Sequence, residues 1–230
     1  MWKKRICLAF LIIFCLTGLG LAVAFAPVSR IVVLVYHDIG TPETGYRISR
    51  DRFLSHIEAL ERAGYAFLPI ETLGPFLEGR FIPPPKSVVL TFDDGYASFY
   101  KEVYPILRRR GIPAAVFVIT GSVDQGRHLS WEQMKQIEQD TTVHIRFYVH
   151  ARKGHGFVDT NGDGVPDAHF YVGRKWLPEK GRQETVGEYL ERVRTDLRAA
   201  GESIRVHLGH DSPYLAVLGG LARPPWPGRP

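Results

Sequence analysis

An α/β fold built on a parallel sheet is predicted by two features of this 230-residue chain. Short β-branched runs alternate with stretches of helical spacing from Arg30 to His150. Most of those runs are apolar on both faces, as buried strands are, rather than alternating as half-exposed strands do. Composition agrees with a folded domain, with 45% of residues hydrophobic and 23% charged. The roughly two hundred residues beyond the N-terminal segment suffice for one core.

The chain opens with Lys3, Lys4 and Arg5, followed by an uncharged stretch from Ile6 to Ala26. Residues 1–26 therefore read as a signal peptide or a transmembrane anchor helix, since roughly 20 apolar residues can cross a bilayer. The basic end stays inside, so the remainder is expected at the outer face of the cell membrane or secreted. Both cysteines, Cys7 and Cys15, fall in this segment. The domain beyond it, residues 27–216, is expected to have no disulfide and no thiolate nucleophile, and a transition-metal site there must use His and carboxylate. The net charge of +5 is scattered. No basic stripe interleaved with aromatics appears, which argues against nucleic acid as a partner.

The elements follow in order. Arg30–Tyr36 is predicted as a buried strand, with His37 and Asp38 at its end. Ser49 opens a helix that places Phe53, Ile57 and Leu60 on one face, and Gly64 ends it. Ala66–Pro69 is a second strand, Ile70–Leu77 a short helix, and Pro83 to Pro85 a stiff turn. Val88–Phe92 is a strand running straight into Asp93, Asp94 and Gly95. A helix over Phe99–Arg110 stops at Gly111, and Ala114–Thr120 is the next buried strand. Trp131–Gln139 is a helix and Val143–His150 a strand. Gly154–Lys180 reads as a long polar loop. Thr185–His207 is a charged helix with Tyr189, Val193, Leu197 and Ile204 on one side. The Pro/Gly-rich tail, residues 217–230, cannot continue a buried strand or a helix past Leu221.

Reactive groups in parallel α/β folds gather at the carboxyl ends of strands. Asp93-Asp94, His37-Asp38 and His150 all stand at such ends. Gly95 lets the chain turn sharply, so both acids can face one pocket. Adjacent carboxylates repel unless a cation lies between them; a divalent ion on one would keep it ionised and leave the other a free base. An Asx turn or helix cap is the competing reading. His150 and His155, separated by a loop containing Gly154, join one carboxylate in a donor set that suits zinc or a similar ion. Further on, Asp159, Asn161, Asp163 and Asp167 alternate around Gly162 and Gly164 like the first half of a calcium loop, with a turn-rich polar loop as the alternative.

The run Thr91–Tyr96 (TFDDGY) resembles the first motif of the polysaccharide deacetylase family, the NodB-homology carbohydrate esterases. The spacing of His150 and His155 resembles the second motif of the branch acting on poly-N-acetylglucosamine. Val33–Ile39 (VLVYHDI) looks like that branch's first strand. The resemblance runs from about Ile31 to His210. It implies an incomplete (β/α) deacetylase barrel of parallel strands. It also implies Asp93 as catalytic base, with Asp94, His150 and His155 as ligands of a divalent metal and His37 beside them. Zinc is the first expectation for that metal, with nickel, cobalt or iron as alternatives. The implied activity is hydrolytic removal of N-acetyl groups from an N-acetylglucosamine polysaccharide of the envelope or exopolysaccharide, with the metal as Lewis acid. Two departures stand out. Val149 and Ala151 occupy positions where the family usually has Ser and Thr, the Thr helping to seat the acetyl group. Past Ser212–Val217 the sequence leaves the family's pattern, as a truncation or frameshift would make it. The alternative expectation is a catalytically impaired or carbohydrate-binding remnant on the same fold.

Overall fold

Every residue of Ser87–Phe92 and of Ala114–Ile119 is buried, and these two runs lie next to each other in a parallel sheet. The computed structural model of the protein describes residues 30–217. The predicted signal or anchor, residues 1–26 with Cys7 and Cys15, and tail residues 218–230 lie outside the described residues. No helix among the described residues is long and apolar enough to cross a membrane.

In chain order the first elements are β1 (Ile31–Tyr36), the short pair β2 (Asp38–Ile39) and β3 (Arg47–Ile48), α1 (Arg50–Arg62) and β4 (Ala66–Phe67). Then come α2 (Leu73–Leu77), β5 (Ser87–Phe92), α3 (Tyr104–Arg110), β6 (Ala114–Ile119), α4 (Trp131–Glu138) and β7 (Ile145–Ala151). Four two-residue strands follow: β8 (Phe157–Val158), β9 (Ala168–His169), β10 (Trp176–Leu177) and β11 (Arg182–Gln183). The last element is α5 (Val186–Leu208). The main sheet runs β1-β5-β6-β7, all parallel, and β4 pairs with the start of β5.

Parallel pairing forces a crossover between successive strands, and the helices supply it. They cover one face of the sheet. Val88, Leu90 and Phe92 point into that layer and meet Phe53 and Ile57 of α1, Ile106 and Leu107 of α3, and Met134 and Ile137 of α4. Phe92 sits at its centre, with ring centroids 4.9 Å from Phe99, 5.4 Å from Tyr36 and 5.8 Å from Phe53. A fully buried Phe contributes roughly 1.5–3 kcal/mol by area alone. The opposite face is smaller, made by Val89, Ala115, Phe117 and Tyr148 with Ile70.

Three sequence expectations are corrected. β1 is not a buried strand: Val32, Val33 and Val35 are 42%, 43% and 54% exposed. Among the described residues it is an end strand of the sheet, paired on one side only to β5, and its apolar run reads like that of a central strand because periodicity carries no information about sheet order. The helix expected over Phe99–Arg110 starts with a wide turn at Phe99–Val103, where Tyr104 N–H reaches back to Phe99 O, before α3 begins. Pro105 explains it, because a proline has no N–H to give and its ring crowds the carbonyl four residues back. The stretch Gly154–Lys180 is not a plain loop. β8 pairs with β9, β10 pairs with β11, and the Arg192 guanidinium of α5 donates to the carbonyls of Phe170 and Gly173.

Candidate metal centre

β5 delivers the two acids through an abrupt turn. Asp93 N–H still donates to Tyr36 O at 2.8 Å, extending the pairing with β1. Asp94 and Gly95 then both take left-handed backbone, with φ of 70° and 73°. Asp tolerates that conformation better than most residues, and Gly adopts it freely. Gly95 is required for a second reason: a Cβ there would lie 2.8 Å from Val118 Cγ1 on β6. Gly95→Ala is therefore expected to cost roughly 2–4 kcal/mol, the left-handed penalty plus overpacking. Urea denaturation of the metal-free protein measures it, and a cost below about 0.5 kcal/mol would mean that β6 yields freely.

β7 delivers the first histidine on an irregularity. Its register against β6 passes from Val118↔Val149 to Ile119↔Ala151, skipping His150. A bulge of this kind re-aims one side chain at the end of a strand. The His150 ring is buried, and Nδ1 lies 2.7 Å from Ala216 O. A carbonyl only accepts, so Nδ1 carries the proton and Nε2 presents its lone pair. Ala216 belongs to a segment that runs beside β7, where Ser212 Oγ accepts from Val149 N–H at 2.8 Å and Leu215 bridges to Val149. Burial lowers the His150 pKa; the Ala216 carbonyl and Asp94 oppose this without overcoming it. The ring is thus neutral, the form that binds metals.

His155 comes from the loop after β7. Its Nε2 is 2.8 Å from Asp94 Oδ1, and His150 Nε2 is 3.5 Å from the same oxygen. None of the three atoms is aligned in a hydrogen bond, and all three are buried. Among the described residues this is the one group of three or more His, Cys, Asp or Glu side chains whose ligand atoms gather within 4.8 Å. Buried polar atoms without partners are costly and rare. Two imidazole nitrogens and a carboxylate oxygen gathered this closely are satisfied together by a divalent cation, so the donors fit the metal that the sequence implies.

Burial works against the charge on Asp94, yet His155, and then His150 and His37, outweigh it and hold that carboxyl below its ordinary value. Asp93 goes the other way. Burial pushes it up to about 6; His37 and His155 pull down and Asp94 pushes up. Its carboxylate makes no hydrogen bond among the described residues and stays outside the ligand cluster. His37 lies at the end of β1, its ring 5.5 Å from that of Tyr46, near enough for its charge to act on Asp93. A cleft of about 410 Å³ opens onto Asp94 and His155, walled by Tyr96, Arg127, His128 and Lys153. The Tyr96 and His128 rings stack on each other, with centroids 5.4 Å apart.

Asp93, Asp94, His150 and His155, separated by up to 62 positions, are thus brought to one end of the sheet, with His37 beside them. Asp159, Asn161, Asp163 and Asp167 lie in the loop between β8 and β9 and are engaged with that loop's own donors. Asp159 accepts from the amides of Asn161, Gly162 and Gly164; Asp163 from Val165 N and Asn161 Nδ2; Asp167 from Thr160 N and Oγ1. These side chains build the loop. Val149 and Ala151 are both buried, with Val149 packed in the helix layer. Sequence reasoning missed Asp196 of α5, whose carboxylate accepts from the amides of Arg152 and Lys153 just before His155. The signal was an acid on the inward side of an amphipathic helix, in line with Ala200 and Ile204.

Fold and cluster together define a parallel α/β protein with an Asp–His–His centre at the strand ends. The polysaccharide deacetylase family profile matches residues 82–221, more than half of the chain, and the chain belongs to that family. It is 33% identical over 111 residues to YxkH of Bacillus subtilis, covering 48% of this chain and 39% of that protein. It is 32% identical over 164 residues to poly-β-1,6-N-acetyl-D-glucosamine N-deacetylase of Escherichia coli K12, covering 64% of this chain and 24% of that protein. The chain therefore spans well under half the length of these two relatives. Among solved structures, the BpsB deacetylase domain from Bordetella bronchiseptica superposes with a TM-score of 0.69 at 26% identity, covering 81% of this chain and 79% of that one. IcaB from Ammonifex degensii superposes at 0.66 and 26%, covering 85% and 77%.

Proposed function

We propose that this protein is a metal-dependent hydrolase that removes N-acetyl groups from an N-acetylglucosamine polysaccharide of the cell envelope or exopolysaccharide. One observation carries the reading: three buried ligand atoms converge while a neighbouring carboxylate remains unbound and is pushed up to about 6. Asp94, His150 and His155 would hold the ion, zinc first, with nickel, cobalt or iron as alternatives. When bound, the ion supplies Lewis-acid polarisation of the acetamide carbonyl and of a water molecule. Asp93 takes the proton of the attacking water as general base. Its raised pKa makes it a stronger base than an exposed Asp and leaves it ionised near neutral pH. His37 stands where it can stabilise the charge on Asp93. The cleft beside Asp94, walled in part by Tyr96 and His128, receives the sugar. The products are acetate and a glucosamine unit.

We further assign residues 1–26 as a signal peptide or anchor and residues 27–216 as the catalytic domain, which places the site outside the cell membrane, anchored or secreted. Lys3, Lys4 and Arg5 before an uncharged run support this.

The test uses the full chain. Bound metal is measured, and acetate release from N-acetylglucosamine oligomers is followed before and after chelation. Release that disappears on chelation and returns with zinc is expected. Metal bound with no release would favour the carbohydrate-binding alternative, in keeping with Val149 and Ala151. No bound metal would overturn the reading.

A further inference from the structure

We infer that Asp196 is a positioning residue for the metal centre: its carboxylate fixes the loop that delivers His155. The inference rests on the metal-centre reading above and adds a residue that acts through one of the ligands.

The three ligands are held in different ways. Asp94 is set by the left-handed turn after β5, and His150 by the Ala216 carbonyl. The His155 ring makes no hydrogen bond of its own among the described residues, so its place depends on the backbone that precedes it. That backbone is clamped. Asp196 Oδ2 accepts from Arg152 N at 2.9 Å, from Gly154 N at 3.4 Å and from Tyr171 Oη at 2.6 Å, while Oδ1 accepts from Lys153 N at 2.9 Å. From the other side Gly121 N donates to Arg152 O at 3.0 Å. Gly154 is packed so closely that a Cβ would meet Tyr171 at 2.6 Å and Phe170 at 2.8 Å.

Asp196 is 9% exposed and has no ion-pair partner among the described residues. The other buried acid of this region, Glu184, pairs with Arg192 at 2.7 Å. A buried carboxylate satisfied only by neutral donors is expensive to keep, and what it returns is a fixed backbone. Three consecutive amides pointing at one carboxylate leave residues 152–154 little freedom. His155 follows directly, its Nε2 2.8 Å from Asp94 Oδ1. Partners outside the ligand shell commonly tune metal affinity in this way.

The test is a double-mutant cycle on the full chain, read by calorimetric titration with zinc rather than by turnover. Asp196→Asn keeps the size but turns an amide N–H₂ toward donors. It is expected to weaken zinc binding by about 10–100-fold. In a His155→Ala background the same change is expected to cause no further loss, because the clamp has nothing left to place. If Asp196→Asn does not fold, Tyr171→Phe removes one bond of the clamp and carries the cycle, with an expected loss of about threefold. A purely structural role lowers the melting temperature and leaves the zinc affinity of folded protein unchanged, which would overturn the inference. Equal loss with and without His155 would also overturn it. Wild-type protein that takes up no zinc would sink the metal-centre reading itself.

Discussion

Asp93→Asn is expected to lower acetate release by about 10²–10⁴-fold while zinc remains bound. The amide matches the carboxylate in size but cannot accept the proton of the attacking water. The Asp93 carboxylate makes no hydrogen bond among the described residues and is not part of the ligand cluster, so its replacement leaves Asp94, His150 and His155 in place. Burial pushes the Asp93 carboxyl up to about 6. An acid whose folded pKa is raised loses favour as it ionises, so the metal-free protein gives up stability as pH rises from the unfolded value through about 6. Asp93→Asn removes that loss, and at pH 7 the metal-free variant is expected to be no less stable than the wild type. A cation on Asp94 pulls the Asp93 pKa down. The rate of the loaded protein should therefore rise with pH through an inflection at or below about 6 and fall away on the acid side. Full activity of the Asn variant, or a flat profile down to pH 4, would remove Asp93 from the role of base.

His150→Ala should weaken metal binding severely and abolish acetate release. One of three ligands disappears, and the loss in zinc affinity should exceed the roughly 100-fold that an outer partner alone can cause. Folding suffers as well. The ring is buried at the bulge of β7 and satisfies Ala216 O. Its removal leaves a cavity and a carbonyl without its donor, a cost of about 1–3 kcal/mol for the carbonyl alone. The two substitutions separate the roles: Asn at 93 keeps metal and loses turnover, Ala at 150 impairs both. Zinc bound as tightly by His150→Ala as by wild type would mean that the three side chains do not share an ion.

Much of the layout could be read from the chain because its signals are contiguous. β6 is an unbroken apolar run and β5 departs from one only at Ser87 and Thr91; Asp93 and Asp94 follow β5 directly, so both strand and strand-end acids were legible. His150 and His155 were legible by their spacing. What could not be read is whatever depends on distant partners. The exposure of β1 follows from its place at the end of the sheet, which periodicity does not encode. The bulge at His150 arises from register against β6. The carbonyl of Ala216 is a backbone atom, and any residue type at that position would offer one. Asp196 was visible as an acid on a core-facing helix stripe, yet its partners lie more than 20 positions away in sequence. The alternating acids of Asp159 to Asp167 left two readings open, because an Asx-rich loop and a cation loop use the same residues; the structure adds that the loop amides donate to these carboxylates.

The seating of the Ala216 carbonyl on His150 also sets an order of events during folding. The strand bearing the tandem acids emerges early, and the imidazole emerges some sixty positions later. That imidazole gains its fixed tautomer and heading only when residue 216 has settled against the sheet. A partly folded chain is therefore a poor scavenger of cations until that segment docks, and competence arrives in one step rather than by gradual accretion.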